Sequence, residues 1–146
     1  MRASPVCASA MTRACASRNV RPVSSIEAEE LAAHLRSDAR ESTVIVDVRD
    51  TDFKGGNIRG ALNIPSEHFY NDAQVDDLVE RFAQSQYVVF HCMFSQQRGP
   101  FCATKFASRL GAAQLPQKPQ VFVLERGFSG WLSSGNLDLC ENLEDT

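Results

Sequence analysis

Three runs in direct succession leave this chain little freedom in how it can fold: QYVVF (86–90), HCMFSQQRGP (91–100) and PFCATKFASRL (100–110). The first is β-branched and aromatic, as a buried strand requires. The last repeats apolar residues at helical spacing through Ala103, Phe106, Ala107 and Leu110. Pro100 falls in its first turn, where a missing N–H costs nothing. A strand, a tight loop and a helix N-terminus in that order turn backbone N–H groups inward on a space that fits a tetrahedral anion. Five residues separate Cys92 from Arg98. Arg98 is expected to close the ring with a bidentate guanidinium fork. Cys92 is expected at its floor, where positive potential favours a thiolate nucleophile. The plainer alternative is a small buried hydrophobe ending a strand. The strand before, Gly99-Pro100 and the helix after favour the reactive reading.

The rest of the chain supplies matching elements. Ser24 followed by Glu27 reads as a capping box opening a helix to 35 or 36, with Ile26, Leu31 and Leu35 facing in. TVIVDV (43–48) reads as a buried parallel strand, with Asp47 and Arg49 leaving its carboxyl end. Gly55-Gly56 breaks the chain before a short strand at 61–64. Val75, Leu78, Val79 and Phe82 mark an amphipathic helix. QVFVL (120–124) is the last strand, and 127–132 a short closing helix with Trp131 in the core. Strands alternating with helices imply α/β with a mainly parallel central sheet flanked by helices. In such sheets the site lies beyond the strands' carboxyl ends, and Asp47, Cys92 and Glu125 all fall there.

Composition narrows the classes of function. At 146 residues one domain is expected, over 24–136, with an acidic tail at 137–146. The net charge of −3 argues against nucleic acid as a partner. No apolar run approaches a membrane span. All 18 acidic residues lie from Glu27 onward, whereas 1–23 carries Arg2, Arg13, Arg18 and Arg21 amid Ala and Ser. That segment reads as a basic, disordered N-terminus or an organelle transit peptide. Five cysteines without Cys-x-x-Cys fit a reducing compartment better than a disulfide framework or a zinc ribbon. Cytoplasm or nucleus is expected, with mitochondrion or plastid left open by the basic N-terminus. Cys7, Cys15 and Cys140 receive no role.

Three segments in order, IVDVRDTDFKGGNIRGALNIPS, FHCMFSQQRGP and VFVLERGFSGW, resemble the rhodanese-like family over roughly 24–135. The resemblance implies the family's three-layer fold. A loop with five residues between Cys and Arg resembles the branch of eukaryotic arsenate reductases and cell-cycle dual-specificity phosphatases. Sulfurtransferases of the family carry a shorter loop. The phosphatases bear acidic residues where this chain has Met93 and Gln97, and a protective cysteine where it has Val48. The neutral loop followed by Arg-Gly-Pro is more similar to the arsenate reductases. Plant members carry a cysteine at the position of Cys102 and a Cys-rich zinc-binding tail. Only Cys140 stands in that region here, so no zinc is expected. Asn57 replaces the family's usual His, and Arg126 its usual Gly.

The resemblance implies that Cys92 attacks a bound oxyanion, held by the amides of Met93, Phe94, Ser95, Gln96 and Gln97 and by Arg98. With arsenate, a second thiol drives reduction to arsenite, glutathione or glutaredoxin being the expected reductant. With a phosphate ester, possession of a phosphocysteine intermediate is expected, and a phosphoprotein is a candidate substrate. Without loop carboxylates, aryl phosphates should turn over better than alkyl ones. Asp47 and Arg49 read as a structural ion pair and His91 as a buried scaffold residue facing away from Cys92. Cys102 reads as a packed small residue, with a resolving thiol as the alternative. The Ser95 hydroxyl is a candidate donor to the sulfur, and Glu125 a candidate acid at the rim. Phe94 and Phe101 are expected to wall the mouth, and His34 and His68 to face solvent. A thiosulfate-type sulfurtransferase and a noncatalytic binding module are the alternatives.

Overall fold

The computed structural model describes residues 23–143. The basic N-terminus expected as a disordered segment or transit peptide, with Cys7 and Cys15, lies outside the described residues. The elements in chain order are β1 (Val23–Ile26), α1 (Ala28–Leu35), β2 (Thr43–Asp47), β3 (Asn57–Ile58), β4 (Leu62–Asn63), α2 (Asp72–Arg81), β5 (Tyr87–His91), α3 (Arg98–Ala112), β6 (Gln120–Leu124), α4 (Gly127–Ser133) and β7 (Cys140–Glu141). Short 3-10 turns lie at Asp38–Ser42, Thr51–Phe53, Ser66–Tyr70 and Leu137–Leu139.

Five strands form a parallel sheet in the order β1-β6-β5-β2-β4. Strand alternation sends successive side chains to opposite faces, and the core divides accordingly. Val88 and Phe90 join the apolar faces of α2 and α3, while Val89 joins α1 and α4. Helices thus cover both faces, the α/β three-layer arrangement expected from the sequence. The inward residues Val75, Leu78, Val79, Ala103, Phe106, Ala107, Leu110 and Trp131 are all buried.

Two readings need correction. Ser24 does not cap a helix: it lies in β1, which pairs with β6 in the register Val23↔Val121 through Ile26↔Leu124. A ladder of backbone hydrogen bonds satisfies more groups than one serine cap can. The capping box sits three residues later, built by Glu27 and Glu30. Residues 137–143 are not a tail. β7 pairs antiparallel with β3, and Leu139 and Cys140 are buried in the α1/α4 core. Asn57 holds this junction, its amide donating to the Ile58 carbonyl at 2.8 Å and to Glu141 Oε2 at 3.1 Å.

Candidate active site

Cys92 follows β5 directly, and α3 begins at Arg98, so the loop between them is held at both ends by regular structure. The Cys92 side chain is buried on the α2/α3 side of the sheet. Its sulfur accepts two backbone N–H groups, from Ser95 at 3.2 Å and from Gly99 at 3.3 Å. Gly99 lies in the first turn of α3, where N–H groups have no partner within the helix. Ser95 adopts φ 56°, a left-handed conformation that turns its amide onto the sulfur. Amide donors and a helix N-terminus both favour negative charge at that atom. The Ser95 hydroxyl does not make the expected bond; it is buried without a hydrogen-bond partner, and the backbone takes the role instead. Above the sulfur lies a cleft of about 230 Å³ lined by Cys92, Phe94, Gln96, Gln97 and Arg98. Phe94 is 58% exposed at its edge. The half-buried Met93 packs instead against the α1/α4 core.

The loop is gripped from behind. Phe128 N donates to the Cys92 carbonyl at 3.0 Å and Ser129 N to the Met93 carbonyl at 2.9 Å. The approach is so close that a Cβ on Gly127 would lie 2.5 Å from the Cys92 carbonyl oxygen. Arg126, just before, also has positive φ, 62°.

His91 is fully buried and points to the opposite face, stacked on Phe128. Its Nδ1 lies 3.0 Å from the Cys92 carbonyl. A carbonyl only accepts, so Nδ1 carries the proton, and Nε2 lies 3.6 Å from Asp47 Oδ2. Burial pushes the His91 pKa down, against the pull of Asp47. Asp47 and Arg49 form a buried ion pair, the Arg49 Nη2 lying 2.7 Å from Asp47 Oδ2. Arg49 also donates to the carbonyls of Gly56 at 2.8 Å and Asp52 at 3.1 Å, and its guanidinium lies over the Phe128 ring at 4.5 Å. The pair braces the loops at this end of the sheet and does not line the Cys92 cleft.

Arg98 departs from expectation. Its Nη1 and Nη2 donate to the two carboxylate oxygens of Asp52, at 3.1 and 2.9 Å, with Asp50 Oδ2 3.6 Å away. The Arg98 guanidinium holds the Asp52 carboxyl below the usual carboxylate range. Asp50 and Asp52 are the site residues that sequence reasoning missed. Their signal was two acids following the Asp-x-Arg element, but only the folded turn brings them to the loop.

Other candidates separate from the cleft. Cys102 is fully buried in the α2/α3 core, and burial pushes its thiol up to about 12. That is the environment of a packed small residue, not of a ready resolving thiol. Phe101 stacks at an angle on exposed Tyr70, their centroids 5.5 Å apart, and does not line the Cys92 cleft. Glu125 lies in a neighbouring groove of about 590 Å³ that begins at Phe94 and Gln96 and runs to Ser24, Ser25 and Arg126. His68 is exposed, whereas His34 is half-buried against Tyr87, with ring centroids 4.6 Å apart. Among the described residues no group of three or more His, Cys, Asp or Glu could hold a metal ion. No helix among them is long and apolar enough to cross a membrane.

Comparison with known proteins agrees with this geometry. The profile of the Rhodanese-like domain matches residues 27–134. Arsenate reductase 2.1 of Oryza sativa subsp. japonica is 37% identical over 125 residues, covering 84% of this chain and 76% of the relative. The dual specificity phosphatase Cdc25 of Arabidopsis thaliana is 37% identical over 98 residues, 66% of each chain. A yeast protein tyrosine phosphatase of the Rhodanese family superposes with a TM-score of 0.70 at 26% identity, covering 84% of this chain and 94% of its own.

Proposed function

Because the chain belongs to the rhodanese-like domain family, we propose that it is a cysteine-dependent enzyme acting on tetrahedral oxyanions, with arsenate reduction as its main reaction. The observation that carries this reading is the Cys92 sulfur, which accepts two backbone N–H groups at the floor of a small cleft. The cleft suits an anion of four oxygens, and its lining contains no carboxylate. Relatives named as arsenate reductases and as phosphatases support the same substrate class.

Cys92 thiolate attacks arsenic, and an oxygen of arsenate leaves as water after protonation. The S–As bond forms as the As–O bond breaks. The loop amides and Arg98 hold the charge that develops on the remaining oxygens. A thiol of the glutathione type then attacks the Cys92 sulfur. The electron pair of the S–As bond passes to arsenic, arsenite departs, and a mixed disulfide remains. A further thiol, from glutathione or a glutaredoxin, cleaves that disulfide and restores Cys92. This cycle requires a reducing compartment. The same cleft accepts a phosphate ester, with water hydrolysing the phosphocysteine. Exposed Phe94 at its edge favours aryl over alkyl esters, and a phosphoprotein can present such a group along the adjoining groove.

The test compares wild type with Cys92→Ser in three assays: arsenate reduction with glutathione and a glutaredoxin, aryl-phosphate hydrolysis, and thiosulfate-to-cyanide sulfur transfer. Arsenite production exceeding phosphatase turnover, and lost in Cys92→Ser by a factor of roughly a thousand or more, is the expected result. Phosphatase turnover alone makes the chain a phosphatase. Sulfur transfer alone overturns the proposal.

A further inference from the structure

The anion fork of the loop is already occupied. Both terminal nitrogens of Arg98 face the carboxylate of Asp52, and Asp50 adds a second negative charge beside Nη1. These acids reach the loop from the turn at Thr51–Phe53, a separate part of the chain. The turn is anchored independently of Arg98: buried Arg49 donates to the Asp52 carbonyl, and Asp52 Oδ1 accepts the Asp50 N–H at 3.0 Å. The Asp52 side chain is 38% exposed and that of Arg98 34%, so solvent and solutes reach the pair.

We propose that Asp52 is a positioning residue: it holds the Arg98 guanidinium as a built-in counter-anion and gives it up when a tetrahedral oxyanion binds above Cys92. The inference rests on the loop being the oxyanion site. A carboxylate and one edge of a tetrahedral oxyanion present the same pair of acceptor oxygens to the planar fork. One edge of the fork serves one such partner at a time, so the two compete. While Asp52 and Asp50 face Arg98, its single positive charge is met by two negative ones. The resting cleft therefore draws anions mainly through its amides. The guanidinium becomes available only by exchange, which sets a threshold on anion entry that an open fork would lack.

The test uses Asp52→Asn, which keeps the side chain's shape and its acceptor for the Asp50 N–H but removes the charge. Inorganic phosphate is the probe, read by protection of Cys92 against iodoacetamide, with the modified peptide identified by mass. No turnover is needed. Half-protection is expected at a phosphate concentration roughly three- to tenfold lower than in wild type. The KM for arsenate should fall in parallel while kcat does not rise. A substitution that merely damaged the loop would weaken phosphate binding, the opposite sign. Asp50→Asn, whose carboxylate lies farther from Arg98, should shift protection in the same direction by less. Unchanged or weaker protection in Asp52→Asn, an equal or larger gain in Asp50→Asn, or no protection in any of the proteins overturns the inference. If phosphate protects as expected but wild type reduces no arsenate, the proposed function fails and the role of Asp52 stands.

Discussion

At the scale of single residues, His91 gives the clearest consequence of burial. The fold keeps its imidazole neutral because an uncompensated cation between β5 and Phe128 would lose its hydration. The Asp47 carboxylate nearby offsets only part of that loss. The unfolded chain takes up a proton near the ordinary histidine value of about 6.5, whereas the folded chain does so only at lower pH. Above that value both states are neutral and His91 contributes nothing to the pH dependence. As the pH falls through it, the unfolded state binds more protons and stability declines. The melting temperature of wild type should therefore drop between about pH 7.5 and 5.5, and less steeply in His91→Gln. A slope unchanged in that variant would mean that other groups carry the titration. His91, Cys92 and Arg98 were legible as positions because one contiguous motif contains them. The partners of Arg98 were not, because the residues that meet it lie some 46 positions away in sequence. The exchange of the Ser95 hydroxyl for its amide was equally hidden, since a positive φ is ordinarily signalled by glycine or asparagine and here falls on a serine.

At the scale of elements, the Cys92 loop owes its shape to α4 as much as to β5 and α3. Two N–H groups from the first turn of α4 take the carbonyls of Cys92 and Met93, which leaves the amides on the other side of the loop free to face inward. Gly127 makes this contact close enough. Gly127→Ala would place a Cβ against the Cys92 and Met93 carbonyls at a φ of 57°. A left-handed non-glycine residue costs about 1–2 kcal/mol, before the clash is counted. Urea denaturation should show at least that loss, and Cys92-dependent turnover should fall roughly tenfold to a hundredfold as the loop shifts. Turnover equal to wild type would show that α4 does not position the loop. Helices with a strong apolar face were readable: the run 100–110 falls within two residues of the ends of α3, and Val75, Leu78 and Val79 mark the buried face of α2. β1 was misread because Ser24 and Glu27 satisfy a local capping pattern, while the pairing that decides the matter lies with β6 at the other end of the chain. Short strands such as β3 and β7 have too few residues for any period to appear.

For the whole molecule, two apolar cores on either face of one sheet depend on the return of the C-terminal segment. Leu139 and Cys140 close the α1/α4 core over Ile58, and the exposed Arg36–Asp138 pair adds little by comparison. Ending the chain after Asn136 should cost about 2–4 kcal/mol in urea denaturation, in line with the apolar area uncovered. A loss well under 1 kcal/mol would restore the reading of 137–143 as a tail. Sequence composition suggested that tail because its acids are conspicuous and its two buried residues are not. The α/β class with a mainly parallel sheet was legible throughout, since it follows from alternating periodicities that single positions cannot spoil, and the resemblance supplied the three layers. The sheet order carries one more consequence, in time rather than in space. Of the strands in the five-stranded sheet β1 is made first, yet its partner β6 is made after all the others, and α4 follows β6. A growing chain can therefore neither close its sheet nor brace the Cys92 loop until β6 and α4 have been made. A copy that stops before β6 and α4 has an unassembled centre, and a ribosome that stalls there releases it without the brace on its Cys92 loop.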